Sequence, residues 1–301
     1  MNDSRKSLLY ALISVLCWST VATAFKFTLS GMNYVQLLFY ASLASSLILL
    51  SVARKISAST FPNIFSYKYL MKNVLSGLLN PFIYYMVLFK AYSLLPAQEA
   101  QPLNYTWPIV ISIFSVIFLK SKFSKLTFAG LALAFTGVVV IATRGDITSF
   151  GFENPLGVFL AVSSSVIWAS FWIINLKDKR ESIEKLAGSF FYGTVISFFY
   201  ILFFDSFDLK DPVYLFGAVY IGIFEMGITF YFWMKALQLS PNKAKTSTFA
   251  FLSPFISLVF IALFLGEHIR ISSVTGLILI VGGILIQNLP ASKTSPVKQN
   301  V

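Results

Sequence analysis

The sequence has little of the chemistry on which soluble enzymes depend. It contains one cysteine, Cys17, one histidine, His268, and 12 acidic residues in 301. A lone cysteine gives no disulfide framework or thiolate metal site, and a lone histidine excludes a histidine-based metal site or charge relay. A Gly-x-x-x-x-Gly-Lys-Ser/Thr phosphate loop is also absent, which argues against ATP hydrolysis. The sequence therefore predicts no catalytic residue, no metal and no cofactor.

Charge is scarce as well, because only 12% of the residues are charged while 57% are hydrophobic and the mean hydropathy is +0.77. This composition is typical of an integral membrane protein and not of a soluble domain. Apolar runs of about 20 residues suit helices across a bilayer core of ~30 Å, whereas a barrel would show alternation over about 10 residues. We therefore predict an all-α protein with ten transmembrane helices, at residues 8–29, 34–53, 70–92, 98–119, 125–143, 155–176, 185–204, 212–237, 244–265 and 271–289.

The second half of the chain repeats features of the first. Lys90-Ala91 precedes Leu94-x-Pro96 and Pro108, while Lys235-Ala236 precedes Leu239-x-Pro241 and Pro254, at offsets of 145 and 146 residues; Trp18 and Trp168 match at an offset of 150. The predicted units are a repeat at 7–143, a linker at 144–154, a repeat at 155–289 and a polar cytoplasmic tail at 290–301. Because each repeat has five spans, the second would cross the membrane in the opposite direction, as in many secondary transporters.

The basic residues predict the orientation. With a cytoplasmic N-terminus, 18 of the 23 lysines and arginines fall inside, and the exceptions are Lys26, Lys90, Arg144, Lys210 and Arg270. Positive residues concentrate on the cytoplasmic side, so both termini are predicted inside.

The N-terminus has a second interpretation. Arg5-Lys6 followed by an apolar run and Ala22-Thr23-Ala24 also fits a cleaved secretory signal. Cleavage would remove the counterpart of the Trp168 helix, so we favour a first membrane span.

Prolines and polar aromatic residues gather on the same predicted spans. Pro81, Pro108 and Pro254 predict kinks in spans 3, 4 and 9, and matched interruptions in repeats indicate a cavity near the midplane. Aromatic residues also form lipid-facing belts at helix ends, which accounts for part of the 17% aromatic content. Rings with a few amides and hydroxyls suit a small amphipathic ligand. The predicted cavity residues are Trp18, Asn80, Tyr84, Asn104, Tyr105, Trp107, Trp168, Trp172 and Asn175.

Two charged residues fall within predicted spans. Glu225 lies about thirteen residues into span 8, and intramembrane carboxyls usually face a cavity or a partner. It could bind a substrate ammonium group, take up a proton, hydrogen-bond a neighbouring helix or pair with Lys26. Lys26 lies near the outer end of span 1, where its long side chain is expected to reach the headgroups. Glu267 and Arg270, in the turn between spans 9 and 10, are expected to be solvated.

These motifs resemble the EamA-type family of the drug/metabolite transporter superfamily. The residues that carry the resemblance are Trp18-Ser19, Trp168-Ala169, the two Leu-x-Pro junctions, and Leu265-Gly266-Glu267 followed by Gly276 and Gly283. Asn104-Tyr105-Thr106-Trp107-Pro108 also resembles the aromatic amino acid exporter branch. The resemblance implies a metabolite exporter of the inner membrane, with a central cavity between spans 1, 3, 4, 6, 8 and 9.

The predicted function is a secondary transporter that exports a small amphipathic metabolite, such as an amino acid, by alternating access. Its partners would be the small-molecule substrate and the lipid bilayer, not nucleic acid, and it would be a monomer or weak homodimer. An exchanger or uptake carrier for a sugar-linked or phosphorylated metabolite is the alternative, with Lys26 and Lys90 as its nearby cations. An intramembrane enzyme lacks the necessary paired acids, and a channel or scaffold would not require inverted repeats.

Overall fold

A computed structural model of the chain describes residues 3–119, 125–146, 154–176, 178–207, 211–241, 246 and 248–287. Within these ranges there are helices and no strands, as an all-α membrane protein requires. The α-helices are α1 (Asp3–Leu29), α2 (Tyr34–Ile56), α3 (Tyr67–Gly77), α4 (Tyr84–Leu94), α5 (Ala97–Asn104), α6 (Trp107–Leu119), α7 (Lys125–Ala142), α8 (Pro155–Leu176), α9 (Ser182–Phe204), α10 (Val213–Phe224), α11 (Ile228–Leu239), α12 (Ser253–Leu265) and α13 (Ile271–Gln287). Residues 147–153 of the predicted linker and the predicted tail at 290–301 lie outside the described residues.

The described helices include eight spans that are long and apolar enough to cross a bilayer. This confirms the prediction of a helical, multi-pass membrane protein. The remaining two predicted spans differ: α13 has 17 residues, and span 4 is divided between α5, with 8 residues, and α6, with 13.

The third span is interrupted at Asn80-Pro81, as the sequence predicted. Asn80 has extended backbone angles, φ −145° and ψ 117°, within a wide helical turn at Leu78–Ile83 that joins α3 to α4. Proline has no N–H to donate to the preceding turn, so the helix cannot continue regularly through Pro81. The hydroxyl of Ser189 on α9 donates a hydrogen bond to the Asn80 carbonyl, which gives this backbone oxygen a partner inside the protein.

Pro108 and Pro254 lie at equivalent helix starts. They are the second residues of α6 and α12, a position where the missing N–H costs little. The fourth span therefore turns at Tyr105-Thr106 before α6 begins, and the ninth contains a 3₁₀ segment, Thr248–Leu252, before α12 begins. Both prolines begin a helical segment and do not kink a continuous helix.

The interruption of the eighth span was missed, because the sequence predicted a continuous helix over 212–237. α10 ends at Phe224 and α11 begins at Ile228, with Glu225–Gly227 between them. Gly227 has φ −107° and ψ −100°, and a Cβ there would lie 2.8 Å from the carbonyl oxygen of Gly222. A glycine therefore permits this interruption without a proline. Glu225 lies 145 residues after Asn80, the offset that relates Lys90 to Lys235.

The two halves of the chain pack across each other. α1 contacts α11 and α12, while α8 contacts α4 and α6. α7 and α13 pair closely and run antiparallel, because Gly130 approaches Gly283 while Gly137 approaches Gly276. Small residues let the two backbones meet, and this contact is within one chain.

Because α7 packs against α13, the adjacent residues Gly282 and Gly283 differ in the space available for a side chain. A Cβ at Gly283 would lie 2.4 Å from the carbonyl oxygen of Gly130, whereas one at Gly282 would meet only Leu133, at 3.6 Å. We expect Gly283→Ala to lower the stability by about 1–3 kcal/mol through overpacking. Gly282→Ala gains the same helix propensity without this clash and should melt at or above the wild-type temperature.

The measurement is thermal unfolding of both purified variants in detergent. Equal melting temperatures for the two variants would contradict the close packing of α7 on α13.

Candidate functional site: a cavity at the interrupted helices

A cavity of about 190 Å³ lies where the interrupted spans meet. Its lining draws on the three breaks and on the 3₁₀ segment of the ninth span, with Tyr84 after the third-span break, Tyr105 at the fourth, Glu225 at the eighth and Ala250 before α12. The described residues that line it are Trp18, Val21, Phe25, Tyr84, Leu88, Tyr92, Gln101, Asn104, Tyr105, Trp107, Trp168, Trp172, Glu225, Phe230, Trp233, Ala250 and Phe251.

Seven of the nine predicted cavity residues belong to this lining, namely Trp18, Tyr84, Asn104, Tyr105, Trp107, Trp168 and Trp172. Asn80 and Asn175 do not. Asn80 is fully buried beside α9, and the Asn175 side chain donates to the carbonyl of Phe171, one turn earlier on α8, at 2.9 Å. Substrate contact by the seven stays a prediction.

The aromatic side chains form a continuous network along the cavity. The Tyr84 and Trp168 ring centroids are 4.7 Å apart, and Trp168 lies 5.8 Å from Phe230. Phe230 in turn lies 6.1 Å from Trp18, which lies 5.2 Å from Trp233. These separations are within the range of favourable ring pairing, so the network presents both faces and edges of aromatic rings to the cavity.

Polar groups around the fourth-span break hold one another in place. The Asn104 amide donates to the Ser164 hydroxyl at 2.8 Å, and the Tyr84 hydroxyl lies 3.4 Å from the Asn104 oxygen. The hydroxyls of Tyr105 and Ser253 are 2.7 Å apart, so the fourth span is tied to the start of α12. These bonds fix the break between elements of both halves.

Glu225 is the one acidic residue in the described lining. The Tyr85 hydroxyl donates to its Oε1 at 3.2 Å, while Oε2 has no hydrogen-bond partner among the described residues. Two further buried polar atoms of the lining, Gln101 Oε1 and Trp172 Nε1, are unpaired in the same ranges. Among the buried polar atoms of the described lining, two oxygens and one N–H therefore lack a partner.

Lys26 has hydrogen-bond partners within the protein, and its reach to the headgroups stays a prediction. Its ammonium group donates to the carbonyls of Tyr92, at 2.9 Å, and Leu95, at 3.0 Å. Both carbonyls belong to the C-terminal end of α4, where the helix dipole favours a positive charge. Among the described residues Lys26 forms no ion pair with Glu225, and it is not part of the cavity lining.

Charged residues join helices at the end of the protein where α7 ends and α5 begins. Glu99, in the first turn of α5, accepts from Arg144 at 2.8 Å and also from Arg270. Glu267 accepts from the backbone N–H of Ala97, at 2.9 Å, and so caps the start of α5. The expectation that Glu267 and Arg270 are merely solvated was wrong, because both hold α5.

Sequence reasoning missed Gln101, Tyr92, Phe230 and Trp233 as lining residues. Phe230 and Trp233 follow the unpredicted break in the eighth span, and a straight helix would direct them differently. The available signal was Glu225 between Gly222 and Gly227, at the repeat offset from Asn80-Pro81.

The described geometry can be compared with known proteins. Residues 5–143 and 155–289 each match the EamA-like transporter family. The chain belongs to this family. It is 28% identical to the uncharacterized transporter YvbV of Bacillus subtilis over 71% of this chain and 70% of YvbV. It is 29% identical to the aromatic amino acid exporter YddG of Ancylobacter novellus, over 50% of this chain and 53% of that protein.

A solved crystal structure shares the fold, with a TM-score of 0.66 and 20% identity over 94% of this chain and 96% of the other. Family membership and these relatives identify a multi-pass membrane transporter and point away from an enzyme.

The lining can be tested by thiol labelling. In a Cys17→Ser background, which removes the single native cysteine, Ala250→Cys should react with a small water-soluble thiol reagent because Ala250 faces the cavity. Ala100→Cys is the matched control, since Ala100 is fully buried on α5 and is not part of the lining. Labelling is read by mass spectrometry, and equal reaction of the two cysteines would contradict the described cavity.

Proposed function

We propose that this protein is a secondary transporter of the inner membrane that exports a small amphipathic metabolite by alternating access. The observation that carries the proposal is the cavity where three interrupted spans meet the 3₁₀ segment of the ninth, lined by rings and one carboxyl group. Substrate sites of secondary transporters are typically formed at discontinuous helices near the midplane, between repeats. Its ten spans would place both termini in the cytoplasm, and the working unit would be a monomer or weak homodimer.

Inverted repeats at 7–143 and 155–289 are part of this proposal. The antiparallel pairing of α7 with α13 supports them, because these helices occupy the same place in each half and their glycines match at an offset of 146. The breaks at Asn80 and Glu225 support them too, since both interrupt the third span of a half. Such repeats can exchange conformations, which gives one state open to each side.

The ion pairs around Glu99 fit one of these two states. Glu99, Arg144 and Arg270 join α5, the end of α7 and the loop before α13 on the side proposed to be external. These contacts must separate for the cavity to open there. The structure therefore fits a state closed to the outside.

The composition of the lining favours an amphipathic cargo over a phosphorylated one. The described lining contains no lysine, arginine or histidine, and Lys26 is bound to backbone carbonyls. A phosphate group would lack the cationic partners that phosphate sites ordinarily have. Two relatives named as aromatic amino acid exporters, 29% and 25% identical to this chain, add support for export.

The orientation is tested with epitope tags. Tags inserted after Gly31 and after Gly145 should both be accessible from outside intact cells, because the proposed topology places the ends of α1 and α7 on that side. A tag at the C-terminus should become accessible only after permeabilisation. A cytoplasmic signal from either inserted tag would rule out the inverted arrangement.

Proton coupling is tested at Glu225. If protons and substrate compete for this carboxyl, Glu225→Gln should abolish the pH dependence of transport in proteoliposomes. Substrate exchange at equal pH and saturating substrate should remain detectable, because exchange requires no proton release. Glu181→Gln, at the start of α9 and outside the cavity, is the matched control and should keep the wild-type pH profile. An unchanged pH profile in Glu225→Gln would remove this residue from coupling.

A further inference from the structure

We infer that the substrate of this cavity is a small aromatic primary amine that carries no carboxylate, such as an arylethylamine. The inference rests on the proposed transport function and narrows its substrate class. It follows from the inventory of unpaired polar atoms, from the absence of cations in the described lining and from the arrangement of the rings.

The unpaired atoms favour a hydrogen-bond donor as cargo. Oε2 of Glu225 and Oε1 of Gln101 are buried atoms of two residues that line the same cavity, and they have no partner among the described residues. Buried acceptors without partners are costly, and more so when the group is charged. A primary ammonium group has three N–H donors and a positive charge, so it can satisfy an unpaired carboxyl or amide oxygen. A quaternary ammonium group has no N–H and would leave both without a bond.

The charges disfavour a carboxylate on the same molecule. Glu225 is the one carboxyl group of the described lining, and that lining has no lysine, arginine or histidine to balance an anion. The nearest predicted cation, Lys26, is bound to the end of α4. A zwitterionic amino acid would therefore bring its carboxylate into an apolar cavity without a charged partner, and that arrangement is strongly unfavourable.

The aromatic network suits both parts of an arylethylamine. Trp18, Trp168 and Phe230 provide aromatic rings for an aryl group, and a tryptophan face also attracts an ammonium group. The free Trp172 Nε1–H can donate to a neutral acceptor on the cargo, such as a phenol oxygen. The cavity is smaller than the roughly 300–1,000 Å³ of drug-sized pockets, which limits the cargo to one or two rings.

The test compares ligands that differ in one group. Phenethylamine, phenylalanine, 3-phenylpropionate and N,N,N-trimethylphenethylammonium are titrated against the purified full chain in detergent, with quenching of tryptophan fluorescence as the signal. We expect phenethylamine to bind at least tenfold more tightly than each of the other three. Equal or tighter binding of phenylalanine overturns the inference, and equal binding of the trimethylated amine overturns the assignment of N–H donors to Glu225 and Gln101.

Substitutions test the residues assigned to the amine. Glu225→Gln and Gln101→Met should each weaken phenethylamine binding at least tenfold, while Asn175→Leu, outside the lining, should bind as wild type. Thermal unfolding of each variant shows whether it is folded, and two independent substitutions keep the test valid if one is not. Wild-type affinity in both folded cavity variants overturns the inference.

Transport separates this inference from the function on which it rests. In proteoliposomes, movement of phenylalanine but not of phenethylamine would overturn the substrate class and leave the transporter intact. A comparison of metabolites inside cells and in the medium, with and without the protein, tests export itself. No difference in any metabolite would overturn the proposed function.

Discussion

In a bilayer, every backbone N–H and C=O group needs a partner within the protein, because lipid offers none. An interrupted helix can exist there only where neighbouring helices supply those partners. Ser189 supports the Asn80 carbonyl, and the hydroxyl of Thr229 donates to the carbonyl of Phe224 at 2.5 Å beside the eighth-span break. The breaks must therefore lie in the protein interior, and their position there determines where the cavity forms.

The same constraint explains how a chain so poor in charge makes a selective site. The described lining draws its specificity from a carboxyl group, a few amides and hydroxyls, and a network of aromatic rings. Each of these groups is positioned by a break or by the packing of one half on the other, as Tyr105 is by Ser253. Packing, and not a catalytic constellation, therefore carries the chemistry of this transporter.

Composition and repeats were sufficient to predict a helical membrane protein with a ring-lined cavity. Apolar runs and the matched residues Trp18 and Trp168 can be found in the sequence without knowledge of tertiary contacts. The direction in which a side chain points was harder to predict from the sequence. Lys26 was expected at the headgroups because its distance from the helix end allows this, but the carbonyls at the end of α4 belong to a tertiary contact that no local pattern records. The break after Glu225 was missed because glycine produces it where proline was the expected signal.

Asn80 and Glu225 occupy the same place in the two halves, yet one is neutral and the other is acidic. In the proposed inverted arrangement, the halves are copies in shape but not in charge. Exchanging their conformations does not return the cargo to the same electrostatic surroundings, since the carboxyl stays with the C-terminal half. The two conformations of a duplicated carrier therefore differ in energy. The charge of the molecule bound in the cavity alters that difference.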